Sequence, residues 1–264
     1  MPSSHRPGRH ELGQNFLIDR QVIETTRKLV SQLPGPIVEW GAGDGAVTSS
    51  LARLNRPLQG IEIDPERARA LDRRLGPHVS IRHGDILRHA PPRGAIVVSN
   101  VPFHITTKVL RHLLNSPQWS HAVLITQWEV ARKRAGVGGA TQLTAQSWPW
   151  YEFDLVRRIP ATAFRPVPTV DGGLFSISRR AHPLIPVERR KHYRQWVADV
   201  FSSRGRGLHQ ILARAGVPSA TASKIASQPR GARGAKKPVL PRDMTAQQWA
   251  QAYLGAWPNG RRHR

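Results

Sequence analysis

The sequence predicts an α/β fold with a doubly wound, largely parallel sheet, followed by a smaller helical domain. An apolar run at 37–40 leads into three glycines, Gly41, Gly43 and Gly45. A second apolar run carries Glu62, 21 residues after Gly41. This is close to the roughly 20-residue interval that separates a glycine loop from a ribose-binding carboxylate in such folds. Apolar runs alternate with helical patterns up to residue 178, and helical patterns dominate afterwards.

The first half of the chain gives its elements in order. Residues 1–10 are polar and basic with two prolines, and we interpret them as a flexible basic arm. A helix is predicted over 20–33, with Asp19 as its N-cap. Strands are predicted where apolar residues run together or alternate, at 37–40, 58–64, 79–86 and 94–100. Further helices are predicted at 47–54, 65–75 and 106–114.

The second half changes character after residue 178. Before it, we predict strands at 122–127, 153–159 and 173–178, helices at 128–135 and 141–148, and an extended, proline-rich loop at 163–168. After it, we predict helices at 187–201, 207–215, 219–226 and 245–254. Residues 228–242 have the Gly, Pro, Lys and Arg content of a mobile loop. The expected domains are therefore 1–178 and 179–264.

Composition excludes several classes of protein. The chain of 264 residues has no cysteine, which rules out disulfides, thiolate metal sites and thiol nucleophiles. No apolar run approaches the roughly 20 residues that span a bilayer, and residues 1–10 lack the apolar stretch of a signal peptide. We therefore expect a cytoplasmic protein without membrane association.

The charge of the chain points to a polyanionic partner. The net charge is +23 and the isoelectric point about 11.8. Residues 179–264 contain 18 Lys and Arg against 3 Asp and Glu, whereas residues 1–178 contain 22 against 14. The alternative is a solvated basic surface that reflects an arginine-rich composition.

The glycine loop and two strand ends provide candidate site residues. Glycine allows positive φ and close approach of a ligand, and the N–H groups that open the following helix are free donors. Asp85 and Asn100 end the third and fourth predicted strands, at the edge where ligands of parallel sheets bind. Asp85 could equally be a helix cap.

The stretch Asn100-Val-Pro-Phe103 is the most specific in the chain. The Asn100 side-chain oxygen and a nearby backbone carbonyl can accept hydrogen bonds from an exocyclic amine, while Phe103 can stack on a base. The alternative is a turn with a buried Phe. Phe164 could likewise be a second aromatic wall or an ordinary core residue, and Asn15 with Phe16 could form only a turn.

Taken in order, these motifs resemble those of the rRNA adenine N6-methyltransferases, and within them of the Erm family. The motifs are 14–17 (QNFL), 39–45 (EWGAGDG), 61–64 (IEID), 84–86 (GDI), 99–103 (SNVPF) and 164–168 (FRPVP), with 127–134 and 148–151 typical of the Erm branch. The resemblance extends roughly from residue 10 to residue 258. Position 99 is often glycine and position 103 often tyrosine in the family, where this chain has Ser99 and Phe103.

The resemblance implies a Rossmann-like methyltransferase domain that uses S-adenosyl-L-methionine and no metal. It implies that Asn15 and Leu17 close over the methionine end and that the loop Gly41-Ala42-Gly43 to Gly45 passes beneath the cofactor. Glu62 and Ile63 would hold the ribose, and Asp85 and Ile86 the adenine ring. Asn100 would lie between the methyl group of the cofactor and the target base, so it would contact the cofactor and also position the target amine together with Pro102. Phe103 with Phe164 would sandwich the target base.

The implied function is N6-methylation of an adenine in 23S rRNA, which confers macrolide–lincosamide–streptogramin B resistance. The implied protein is a monomer without a protein partner, whose basic helical domain binds RNA or supports the fold. One alternative is the related 16S rRNA adenine dimethyltransferase of small-subunit maturation. A non-catalytic RNA-binding protein on the same scaffold is the alternative from a different class. A dehydrogenase is disfavoured because the loop lacks the Gly-x-Gly-x-x-Gly spacing.

Overall fold

The computed structural model describes residues 15–228 and 240–258, which form two compact units. The first unit contains residues 15–131 and 154–178, and the second contains 132–153, 179–228 and 240–258. The predicted basic arm at 1–10 and most of the predicted loop at 228–242 lie outside the described residues.

A seven-stranded mixed sheet dominates the first unit. The described residues form nine strands, of which β1 and β8 make a separate small sheet. The strands are β1 (Phe16–Leu17), β2 (Ile37–Trp40), β3 (Leu58–Glu62), β4 (Val79–His83), β5 (Ile96–Asn100), β6 (His121–Gln127), β7 (Tyr151–Ile159), β8 (Phe164–Arg165) and β9 (Gly172–Arg179). The large sheet has the order β4-β3-β2-β5-β6-β9-β7. Strands β2 to β6 pair in parallel and β9 pairs antiparallel with β6, so the predicted α/β fold is confirmed.

Ten α-helices connect or follow these strands within the described residues. They are α1 (Arg20–Ser31), α2 (Ala46–Ala52), α3 (Pro65–Arg74), α4 (Thr106–Asn115), α5 (Trp128–Arg134), α6 (Gln142–Ala145), α7 (Arg190–Ser202), α8 (Leu208–Arg214), α9 (Ser219–Ser227) and α10 (Ala246–Ala256). None of those in the described ranges combines the length and the hydropathy that a membrane crossing needs.

Local sequence accounts for the start of α1. The carboxylate of Asp19 accepts a hydrogen bond from the N–H of Val22 at 3.0 Å, as expected of an N-cap. Val22, Thr26 and Val30 then recur on one buried face, which packs into the core with Ile96 and Leu174 of the sheet. Burial of each aliphatic side chain of this kind contributes about 1.5–3 kcal/mol.

One small sheet was not predicted. Strands β1 and β8 form an antiparallel pair in which Phe16 faces Arg165 and Leu17 faces Phe164. The extended loop predicted at 163–168 therefore contains a strand, with a cis peptide bond between Arg165 and Pro166. A two-residue pairing between segments so far apart in the chain leaves no periodic signal in either of them.

The second unit has its own aromatic core, and it includes residues that we assigned to the first domain. Trp150 donates from Nε1 to the carbonyl of Ile185 at 2.9 Å. The Tyr193 hydroxyl donates to the carbonyl of Ala145 at 2.9 Å, and the rings of Trp150 and Tyr193 lie 5.4 Å apart. Residues 132–153 are therefore grouped with residues 179–228 and 240–258, and Trp150 packs among them.

Gly35 and Gly94 lie close together just before β2 and β5, at the edge of the sheet where these strands begin. Substitutions at these two glycines can test how tightly the segments pack. Gly35 has φ +113°, and an added Cβ there would overlap the carbonyl oxygen of Gly94, whereas Gly94 has φ +72° and open space around its own Cβ position. We expect Gly35→Ala to lower the free energy of unfolding by roughly 3 kcal/mol or more. Gly94→Ala should cost only about 1 kcal/mol of left-handed strain.

Denaturant unfolding of both variants measures this difference. Equal losses at the two positions would contradict the proposed overlap.

Candidate functional site

A cleft of about 150 Å³ lies at the carboxyl ends of β2, β3 and β5. The chain continues from β3 to β4 on one side of β2 and from β5 to β6 on the other, so the cleft is at the point where the strand order reverses. Ligands of open α/β sheets bind at such points. The lining includes the predicted residues Asn15, Leu17, Gly41, Ala42, Gly43, Glu62, Asn100 and Pro102.

The glycine loop forms one wall of this cleft. Gly41, Gly43 and Gly45 all have left-handed φ angles, of +78°, +55° and +83°. An added Cβ at Gly41 would meet nothing within 4 Å, so this backbone is open to a ligand. At Gly45 an added Cβ would overlap the side chain of Leu71 in α3. The glycine at this position therefore allows the loop to pack against α3.

Glu62 fixes the loop to the neighbouring strand. Its side chain is 1% exposed, and one carboxylate oxygen accepts a hydrogen bond from the Gly43 N–H at 2.7 Å. The other oxygen accepts from the Asp64 N–H at 3.0 Å. Because a carboxylate has about four acceptor positions, Glu62 can hold the loop and still bind a hydroxyl of a ligand in the cleft.

Glu39 is a cleft residue that we did not select from the sequence. It is 2% exposed, and its Oε2 has no hydrogen-bond partner among the described residues. Burial raises the pKa of Glu39 to about 8, with the neighbouring Thr48 hydroxyl opposing the rise and the charge of Glu62 adding to it. A carboxyl group in an otherwise apolar strand, directly before a glycine loop, was the signal that could have identified it.

Asn100 lies on the opposite wall with its amide oriented. The Nδ2 group donates to the backbone carbonyl of Asn15 at 2.8 Å, which leaves Oδ1 as the acceptor. The preceding Ser99 is buried and donates to the carbonyl of Trp40 at 2.7 Å, so the serine found in place of glycine ties β5 to β2. The N–H of Val101 donates to Ile125 and fixes the backbone that leads to Pro102.

The two predicted aromatic walls have different environments. Phe103 is partly exposed, while Phe164 is 0% exposed and belongs to the hydrophobic core. Their ring centroids are 6.1 Å apart with an angle of 70° between the planes. Phe164 therefore supports Phe103 by an edge-on contact, and a second stacking wall at Phe164 would require this ring to leave the core.

The predicted adenine-binding residues lie outside the lining of this cleft. Asp85 accepts a hydrogen bond from the Leu87 N–H at 2.9 Å and so caps a short 3₁₀ helix. A helix cap was the alternative that the sequence left open for this residue. Its second oxygen does not take part in this cap. Ile86 is buried, and Ile63, at 47% exposure, presents an apolar surface beside Glu62.

Comparisons with known proteins identify relatives of this chain. The family model described as ribosomal RNA adenine dimethylase matches residues 6–230. The mycinamicin-resistance protein MyrB of Micromonospora griseorubida is 48% identical over 248 residues, covering 93% of this chain and 78% of the relative. An rRNA adenine N-6-methyltransferase of Corynebacterium diphtheriae is 46% identical, covering 81% of this chain and 85% of the relative.

A solved structure is similar over nearly the whole chain. The crystal structure of the 23S rRNA methyltransferase ErmE superposes with a TM-score of 0.78 at 29% identity. The match covers 92% of this chain and 99% of that one.

The buried Glu39 carboxyl predicts a pH dependence of stability. Its pKa is about 8 in the folded protein against 4.5 for an ordinary glutamate, so between these values the folded state retains a proton that the unfolded state has lost. The free energy of unfolding should therefore fall as pH rises through this window, by up to about 1.4 kcal/mol per pH unit, and level off above it.

Glu39→Gln should remove this dependence and be more stable than the parent protein at pH 8. Denaturant unfolding at several pH values tests it, with the exposed Glu66→Gln as the matched control. A parent profile that rises across the window would contradict the assignment.

Proposed function

Because the chain belongs to the ribosomal RNA adenine dimethylase family, we propose that it transfers methyl groups from S-adenosyl-L-methionine to N6 of an adenine in 23S rRNA. Ribosomes modified in this way would resist macrolide, lincosamide and streptogramin B antibiotics. The observation that carries the proposal is the oriented amide of Asn100, placed across one cleft from Glu62 and next to Phe103. The names of MyrB and ErmE favour resistance and 23S rRNA over other substrates.

The residues of the cleft fit this cofactor. The unpartnered Oε2 of Glu39 is suited to an ammonium group, and the open backbone at Gly41 leaves room for a ligand against the loop. Asn15 and Leu17 would enclose the methionine end, Glu62 and Ile63 the ribose, and Asp85 and Ile86 the adenine. When bound, the cofactor supplies an electrophilic methyl group on a sulfonium.

Asn100 performs the positioning step. Its Nδ2 is held by the Asn15 carbonyl, so Oδ1 is directed to accept from the amino group of the target base. The backbone carbonyl near Val101 and Pro102 would accept the second amine hydrogen. Both acceptors stabilise the positive charge that develops on N6 as it forms its new bond, and a fixed dipole needs no reorganisation for this.

Phe103 holds the target base. Extrusion of an adenine costs a few kcal/mol, and stacking on an aromatic ring returns about 1–3 kcal/mol per base. The partly exposed Phe103 ring contacts the buried Phe164 ring at a steep angle, and this contact supports Phe103 as a platform for the base.

The second unit would contribute contacts to the RNA backbone. A pocket of about 590 Å³ is lined by Arg190, Lys191 and Arg194 of α7, with Glu188 as its acidic residue. Arg190 lies 4.8 Å above the Trp150 ring and donates to the Tyr151 hydroxyl, so its guanidinium is held in place.

Burial, followed by the charge of Arg190, lowers the pKa of Arg194. A phosphate in the pocket would relieve this repulsion between the two cations.

The test of function is methyl transfer to purified 23S and 16S rRNA with labelled cofactor. Transfer to 23S rRNA, together with macrolide resistance on expression in a sensitive host, is expected. Transfer to 16S rRNA alone would favour the small-subunit alternative, and no transfer would favour a non-catalytic RNA-binding role. The rRNA substrate is made in the cytoplasm, where we propose that the chain acts as a monomer.

Asn100→Ala should lower methyl transfer by at least about 100-fold, because it removes an acceptor that acts on the developing charge. Cofactor affinity, measured by calorimetry, should be largely kept. Asn115→Ala, an exposed asparagine at the end of α4, is the matched control. Near-normal turnover of Asn100→Ala would overturn the proposed role.

Lys191→Ala should weaken RNA binding and reduce the slope of log affinity against log salt concentration by about 1, the value for one lost phosphate contact. Lys224→Ala removes an exposed lysine from α9 and should leave the slope unchanged. Fluorescence anisotropy over a salt series gives both slopes. Identical slopes for the parent and Lys191→Ala would remove this pocket from the RNA interface.

A further inference from the structure

A second pocket lies at the same edge of the sheet as Asn100, and the proposed function does not use it. It has a volume of about 520 Å³ and is lined by Gln127, Trp128, Glu129, Arg158, Thr169, Val170 and Asp171. All of these residues belong to the first unit. The motif that begins at Gln127 is also one that the sequence resemblance singled out.

Strand register places this pocket beside the acceptor site. Asn100 pairs with Ile125 of β6, and β6 continues two residues further to Gln127, which pairs with Gly172 of β9. The glycine loop follows β2, on the other side of β5. The order across the sheet edge is therefore the cofactor cleft, then Asn100, then the second pocket.

Phe164 connects the two sites physically. Its ring contacts Phe103 edge-on, and an added Cβ at Gly172 would lie only 2.8 Å from the Phe164 ring. The residue before Gly172 is Asp171, a member of the pocket lining. A nucleotide that continues the RNA strand away from the cofactor would reach this pocket next.

The pocket contains a fixed, flat surface. The guanidinium of Arg158 lies 5.5 Å from the centre of the Trp128 ring, and its Nε donates to Asp171 at 2.7 Å. Asp171 also accepts from the Ala161 N–H at 2.9 Å, while its carbonyl accepts from the Trp128 N–H at 2.8 Å. The Arg158 side chain nevertheless remains 62% exposed. Guanidinium planes and aromatic rings are the surfaces on which unpaired RNA bases stack.

The charge of the lining favours a base over a phosphate. Arg158, the cation of the lining, already pairs with Asp171. A phosphate would therefore compete with Asp171 for this guanidinium, whereas the amide and hydroxyl groups of the lining can bond the polar edge of a base.

We propose that the Trp128–Arg158 pocket binds the nucleobase of a nucleotide next to the target adenine, as a second base-binding subsite. This inference rests on the proposed RNA substrate. Arg158, held over the Trp128 ring, provides the stacking surface, and Gln127 and Thr169 contribute polar groups at the base edge.

The test uses a hairpin RNA with the target adenine in a single-stranded segment, and two copies in which the 5′ or the 3′ neighbour is abasic. Fluorescence anisotropy gives the dissociation constants. The parent protein should bind one of the abasic hairpins roughly 5- to 100-fold more weakly than the intact one, the range for loss of one stacked base. Trp128→Ala should weaken binding of the intact hairpin by a similar factor and have no further effect on that abasic hairpin.

Two further variants and one control variant separate stacking from folding. Trp128→Phe keeps an aromatic face and should restore most of the affinity. Arg158→Ala changes an exposed side chain and should reduce the difference between the intact and abasic hairpins, whereas Arg157→Ala, on the opposite face of β7, should leave that difference intact.

Equal weakening of all three hairpins by Trp128→Ala, or no loss when either neighbour is abasic, would overturn the subsite. Methyl transfer by the parent protein is measured separately. Base-dependent binding without transfer would therefore reject the proposed function and retain the subsite.

Discussion

The buried carboxylate of Glu62 is the interaction on which the rest of the site depends. A buried carboxylate is costly unless hydrogen bonds compensate it, and Glu62 receives two, from Gly43 and Asp64. These bonds fix the left-handed glycine loop after β2 against the end of β3. The loop position then determines where the cleft opens and which backbone faces a ligand. Glu39, in the same cleft, has one carboxyl oxygen without a partner among the described residues, and burial raises its pKa.

Both proposed sites lie along one edge of the large sheet, at the carboxyl ends of its parallel strands. Strands β2 and β3 lead to the residues that we propose for cofactor binding, β5 ends at Asn100, and β6 and β9 border the Trp128–Arg158 pocket. The proposed sites therefore follow one another along one edge of the sheet. Phe164 lies buried between Phe103 and Gly172, and its rigidity would fix the relative position of two adjacent bases.

The two units divide the chain in a way that local patterns do not reveal. The hydrophobic periodicity changes near residue 178, which is why we expected a domain boundary there. Residues 132–153, however, pack against the C-terminal helices through Trp150, which bonds to Ile185. The local sequence of residues 132–153 resembles the α/β pattern on either side of it. Only the contact of Trp150 with the distant Ile185 shows that the segment belongs to the second unit.

The sequence by itself determined the α/β class, the family and most of the cleft, since each follows from residues close together in the chain. The glycine loop, Glu62 and the turn that begins at Asn100 are local motifs, and eight of the predicted residues line one cleft. The family match confirms the resemblance that these motifs gave.

Only the tertiary structure decided which of the predicted side chains are buried in contacts and which remain accessible to a ligand. Phe164 is buried in the core, on a strand β8 that pairs with the distant β1, and Asp85 caps a helix outside the cleft lining. Arg158 meets Trp128 only because β7 and the start of α5 reach the same sheet edge. Such contacts join segments that are far apart in the chain, and their energy depends on a register that no single segment encodes.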